Sequence, residues 1–437
     1  MSARRTVVLP AVVLLGTTVA LTGCIATAGA SEGESKEKPA GYVELPDQPW
    51  TPADEDTPLG GEDEEIPSAD AIPEKLHVSK IDPIGEDEIL LMGEGWGLEI
   101  SSQVIDPATG EATAKFTTGP GIWDPVIHAF VGEDPDDPAV LAQEVWRPRG
   151  SRGAAEFTIS TYSGDLLTPD EIVMPDYTRS HSRWGSSDLT QDGRYLVFWD
   201  DALYGPRIYD LEEGEETGAL AIPECGPFAW VVERTVYSVC ERDRELIELT
   251  IKKDGSLAEA GREKVLPADF VSNRHASIAH DAGKALLVSA NGDVFVFDFG
   301  DGLPTAQQKP IGNAGQDSGR FDQFVLNVDA TSMVISYTDS EIHPDSVNGG
   351  DEVRLIVSDP ETFAPLADLS LESMKLASLD AFGYSVDGAT LYVVGSTADE
   401  KLEIVGFDAL TGAEKSRSTI DNFTDSPSRI ITPRVMG

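Results

Sequence analysis

The side chains best suited to chemistry in this chain are few and far apart. His275, Asp322 and Asp380 stand at equivalent places relative to a recurring Asp-Gly turn, with Gly185 at a fourth such place, and His181 and His128 fall in corresponding stretches. Imidazole and carboxylate together suit Zn²⁺ or another divalent ion. His280, five residues after His275, belongs nearer the wall of the same opening. The acidic run Gly132-Glu133-Asp134-Pro135-Asp136-Asp137-Pro138 offers hard oxygen ligands for Ca²⁺, but it lacks the alternating ligand order and Gly of an EF-hand loop and reads more readily as a solvated hairpin tip. Trp123 and Trp184 present flat faces on which a ligand can stack. The stretch from Glu341 to Asp351, containing His343 and Asp345, is long enough to serve as a contact loop. The simpler alternative for all of these polar groups is that they solvate a water-filled funnel. No nucleotide cradle, nucleophile elbow or zincin helix occurs in the chain.

Bringing such distant residues together needs a repeated scaffold, and the chain has one. Short strands end in Asp-containing turns at Asp106-Pro107-Ala108-Thr109-Gly110, Asp210-Leu211, Asp298-Phe299-Gly300, Asp359-Pro360 and Asp408-Ala409-Leu410-Thr411-Gly412, with weaker versions at Ser163-Gly164-Asp165 and Asp254-Gly255. A second turn precedes several of them: Asp192-Gly193, Asp281-Ala282-Gly283, Asp329-Ala330-Thr331 and Asp387-Gly388, each followed by an apolar strand. Asp can bond its own backbone in such turns, and Gly tolerates positive φ. Four short antiparallel strands repeated seven times at a period of 40 to 50 residues predict an all-β, seven-bladed propeller. The expected blades are 77–118, 122–176, 182–222, 226–267, 274–312, 321–372 and 378–433, with Ser428 to Pro433 pairing back onto the first blade to close the ring. Helical periodicity is confined to a short stretch around Leu371 to Leu379. Trp96, Trp146, Trp199 and Trp230 lie in or beside strands and are expected in the packing between blades.

The Asp-Gly turn leading into an aromatic or aliphatic strand, followed by a strand ending Asp-x-x-Thr-Gly, resembles the YVTN-repeat and TolB-like propellers, a group that includes the quinoprotein amine dehydrogenase heavy chain. The resemblance spans most of residues 77 to 437 and implies the fold. If it extended to the amine-oxidising members, it would imply a heavy chain that supplies docking surface while a separate small subunit carries the redox cofactor.

Ahead of the repeats, Arg4 and Arg5 precede an apolar run from Val7 to Leu21, and Leu21-Thr22-Gly23-Cys24 closes it. The run is too short for a bilayer-spanning helix of about 20 residues and reads as a secretory signal. Its end resembles the bacterial lipobox, which implies lipidation of Cys24 and an anchor at the extracytoplasmic face of the cell membrane. Residues 1–23 are then the signal, 24–73 an acidic tether too poor in apolar surface to order itself, and 74–437 the propeller. Cys225 and Cys240 are the remaining cysteines, an even pair in an oxidising compartment, and are expected to form a disulfide. With 77 acidic against 32 basic residues the net charge is −45. Such a field repels phosphate backbones and excludes nucleic acid as a partner. The reading that follows is a lipid-anchored, non-catalytic module binding a cell-envelope protein or a small ligand, with divalent-metal (zinc) binding or chaperoning as the alternative.

Overall fold

The computed structural model describes residues 80–436 apart from 94–99, 120–125, 135–136, 147–154, 176, 180–183, 269, 271–274, 290–292, 301–306, 311–319, 339–351 and 424–425. The signal, Cys24, the tether, Trp96, Trp123, His181, His343 and Asp345 all lie outside the described residues. Among the described residues no helix is long and apolar enough to cross a membrane.

Seven antiparallel sheets follow one another, their strands running from a (inner) to d (outer). β1 (Lys80–Ile81) precedes blade 1, which contains β2 (Ile89–Gly93), β3 (Ile100–Ile105) and β4 (Ala112–Thr118). Blade 2 contains β5 (Val126–Val131), β6 (Val140–Trp146) and β7 (Glu156–Val173). Blade 3 is β8 (Ser187–Leu189), β9 (Tyr195–Asp200), β10 (Gly205–Asp210) and β11 (Glu215–Ala219), and blade 4 is β12 (Trp230–Val232), β13 (Thr235–Cys240), β14 (Glu245–Ile251) and β15 (Leu257–Lys264). Blade 5 is β16 (Ser277–Ala279), β17 (Lys284–Val288), β18 (Asp293–Asp298) and β19 (Gln307–Pro310), and blade 6 is β20 (Arg320–Leu326), β21 (Met333–Thr338), β22 (Arg354–Ser358) and β23 (Pro365–Ser370). A single helical turn, α1 (Leu371–Met374), leads to blade 7, formed by β24 (Ala381–Tyr384), β25 (Thr390–Ser396), β26 (Leu402–Asp408) and β27 (Glu414–Thr419). The chain then returns: β28 (Pro427–Ile431) pairs with β2 and becomes the innermost strand of blade 1, and β29 (Arg434–Val435) pairs with β5.

Two details depart from the expected blades. β1, placed by its position in the chain within blade 1, pairs instead with β7 of blade 2 at Gly164 and Asp165. β7 also turns on itself at Gly164 (φ 64), since the Met174 N–H donates to the Phe157 carbonyl at 2.8 Å, so one long element supplies both outer strands of blade 2. The turns themselves form as their residues demand. Asp106 Oδ1 accepts the Ala108 N–H at 2.8 Å, Asp408 Oδ1 accepts the N–H groups of Leu410 and Thr411, and Asp387 Oδ1 accepts that of Ala389. Each carboxylate satisfies turn donors that no ladder reaches.

The apolar core is divided among the seven interfaces between neighbouring blades. In β2, Leu90 and Met92 face blade 2 in one cluster, while Ile89 and Leu91 face blade 7 in another. That alternation is the period of two of a strand buried on both faces. Trp199 packs between blades 3 and 4 and Trp230 between blades 4 and 5, as expected of them. The Cys225–Cys240 disulfide is formed, closing a separation of 15 residues, and such a loop is worth about 3 kcal/mol.

The topology fixes two ends of the channel. All d-to-a and b-to-c connections lie at one end, here called the mouth, and all a-to-b and c-to-d turns at the other, the base.

Candidate functional site

Three carboxylates lie within electrostatic reach on the mouth side of blades 6 and 7. Glu352 precedes β22 in a b-to-c connection and is 8% exposed. Its Oε1 accepts the Ser336 hydroxyl at 2.7 Å, and the Ser336 oxygen accepts the Gln323 N–H at 2.9 Å. Burial pushes the Glu352 carboxyl up to about 8; the Ser336 bond opposes the shift, and the charges of Asp322 and Asp380 add to it. Burial also raises Asp380, against a hydrogen bond from Ser378. Asp322 and Asp380 thus both act on the Glu352 carboxyl. Glu352 stands in a b-to-c connection, which an alignment of the d-to-a connections does not reach, immediately after the 341–351 stretch that lies outside the described residues.

The opposite side of the mouth is aromatic and cationic. The Trp184 carbonyl accepts the Ala276 N–H at 3.2 Å and the Gly185 carbonyl accepts the Ala229 N–H at 2.7 Å, tying the approach to β8 across blade 4 to blade 5. Gly185 has φ +80, and a Cβ there would lie 2.7 Å from that of Ala276, so this crossing requires glycine. The Arg429 guanidinium, from β28 of blade 1, lies 3.8 Å from the centroid of the Trp184 indole, and the His275 ring meets the same indole edge-on at 5.8 Å. One face of Trp184 is therefore already covered by a cation from the same chain.

On the face of β5 toward blade 3, His128 stands with Nε2 3.1 Å from the Ser187 hydroxyl, which also receives the Gln143 amide. Burial lowers His128 to about 4; Asp188 opposes this, and Arg434, His280 and Arg429 reinforce it, so the ring is neutral. At the base, Asp188 is 3% exposed. It accepts the Val231 N–H at 2.7 Å and the Leu189 N–H at 2.8 Å, with His280 Nε2 at 3.1 Å and Arg434 Nη1 at 3.5 Å. Burial alone would raise its pKa, but His280, Arg434 and the Val231 N–H outweigh it and hold the carboxylate below its usual range. His280 Nδ1 is 3.2 Å from the Val231 carbonyl, so both of its ring nitrogens face acceptors.

The sequence candidates thus divide into four groups. Asp322 and Asp380 act together on the carboxylate side of the mouth, His275 and Trp184 meet on the aromatic side, His128 lies between blades 2 and 3, and His280 stands at the base. Among the described residues no three His, Cys, Asp or Glu side chains gather in a way that could hold a metal ion. Asp188, Arg429 and Arg434 escaped notice, although a charged residue in the otherwise buried run Ser186-Ser187-Asp188-Leu189 was a legible signal.

No family model and no curated protein matches the chain. Among solved structures, a protein from Lactobacillus plantarum superposes with a TM-score of 0.51 at 13% identity, covering 79% of this chain and 98% of that one. The periplasmic gluconolactonase of Pseudomonas aeruginosa gives 0.50 at 16% identity, covering 78% of this chain and 98% of that one. At such identities the likeness is one of fold, and it agrees with the YVTN-repeat and TolB-like architecture that the turns resemble: the chain is a seven-bladed β-propeller.

Proposed function

We propose that this protein is a lipid-anchored extracytoplasmic propeller that binds, without chemistry, a cationic small ligand or a basic segment of a cell-envelope protein at its mouth. The observation that carries the reading is the negative charge of Asp322 and Asp380, both felt by the buried Glu352 carboxyl on the mouth side of blades 6 and 7. In a chain of net charge −45 the surrounding field draws cations toward such a place. Binding is favoured over catalysis because His280 and Asp188 are committed to each other and to main-chain groups, an arrangement that holds structure rather than a reacting atom.

Calorimetric titration with spermidine and with a lysine-rich peptide tests the mouth. Asp380→Asn is expected to weaken binding about tenfold, the equivalent of about 1.4 kcal/mol; failure of the unmodified protein to bind either probe at millimolar concentration would overturn the reading. The anchor is tested separately. Cys24→Ser is expected to move the protein from the membrane fraction to the soluble extracytoplasmic fraction and to abolish labelling by a radioactive fatty acid, and unchanged labelling would refute lipidation at that cysteine.

A further inference from the structure

β29 lies inside the ring. Arg434 pairs with Phe130 and Val435 with Val131, in parallel with β5. β5 is the innermost strand of blade 2 and has β6 on its outer edge, so a strand added to its other edge stands in the channel itself. It does so at the base, where β5 ends. Met436 continues into the apolar cluster shared by blades 2 and 3, and its methyl comes so close to Gly193 that a Cβ there would lie 2.4 Å away. Arg434 Nη1 donates to the Leu189 carbonyl at 3.3 Å and stands beside Asp188. Asp188 passes the connection on to Val231 of blade 4 and His280 of blade 5. Main chain and the contacts of the buried Asp188 therefore link blade 2 to blade 5 at the base.

We propose that residues 434–436 are a plug that seals the base of the channel. The plug is separable from ring closure, because β28 alone completes blade 1. Its hold is local: two ladder positions, one arginine and one methionine. This inference goes beyond the reading of the mouth as a binding site and stands without it.

The native histidines report on it. Diethyl pyrocarbonate modifies neutral imidazole, the form in which His128 is held, and peptide mass spectrometry of the full chain reads each histidine separately. Deleting residues 434–437 and, independently, substituting Met436→Asp are each expected to raise the rate of His128 modification at least tenfold while leaving His275 at the mouth unchanged. Rates at His128 within twofold of the unmodified protein, in variants that keep its near-ultraviolet circular dichroism, would overturn the plug. Loss of that signal in both variants would overturn it too, because the segment would then hold the fold rather than seal a finished ring.

Discussion

A chain ending at Ser426 is expected to lose cooperative unfolding altogether, whereas one ending at Pro433 keeps it. The difference is β28. Leu90 pairs with Ile431, Leu91 with Ile430 and Met92 with Arg429, so without β28 the innermost ladder of blade 1 has no partner. Ile430 also packs into the cluster between blades 7 and 1, tight against Gly383, where a Cβ would lie 2.8 Å from its Cγ2. Fully burying one such side chain is worth about 1.5–3 kcal/mol. The larger effect is topological: an open ring leaves one face of blade 7 and one of blade 1 without a partner, and a single sheet of this kind cannot bury both faces alone. Ile430→Asp localises the claim to one residue. It places an unpaired carboxylate in that cluster and is expected to cost about 3–5 kcal/mol, read as a fall in the urea midpoint at unchanged slope. A variant retaining the midpoint of the unmodified protein would mean that the ring is not closed by this strand.

The parts of this fold that were legible in advance are those written locally. Each Asp-Gly turn identified from sequence falls at a hairpin on the base, because the bonds that make it, such as Asp106 to Ala108, join residues two apart. The return of the chain onto blade 1 was legible for a related reason, as Ser428 to Pro433 is an apolar strand pattern with no neighbour left to pair with. What was not legible depends on contacts between distant segments. Nothing near Lys80 says that β1 prefers the tip of β7 to its own blade, and nothing near Arg434 says that it will meet Asp188, 246 residues away by their numbers. The same holds for Trp184. As a sequence feature it was a free aromatic face, yet Arg429, on the last strand of the ring, comes to lie over it.

Glu352→Gln is expected to remove the loss of stability that this carboxyl imposes between pH 5 and 8, leaving the opposite contribution of His128, whose lowered pKa makes stability rise up to about pH 6.5. The carboxyl is buried, accepts one hydroxyl, and has Asp322 and Asp380 as charged neighbours, so its folded pKa rises from 4.5 to about 8. A raised folded pKa means that the folded state holds the proton more tightly than the unfolded chain does. The stabilisation from that proton is complete below about pH 4.5 and disappears as the pH passes about 8. This residue should therefore cost the unmodified protein stability on going from pH 5 to pH 8, by an upper bound of about 4 kcal/mol at about 1.4 kcal/mol per pKa unit. The glutamine amide stays neutral throughout and can still accept the Ser336 hydroxyl, so the variant should match the unmodified protein near pH 4.5 and exceed it near pH 8. Asp380→Asn provides the cross-check. Removing one of the two charges that raise Glu352 should lower its folded pKa and move the transition toward acid, with the total loss reduced. Chemical denaturation of the three proteins across this range decides the matter: parallel curves for unmodified protein and Glu352→Gln would mean that this carboxyl titrates alike in the folded and unfolded chains, and that the mouth carries its charge at every pH in the range.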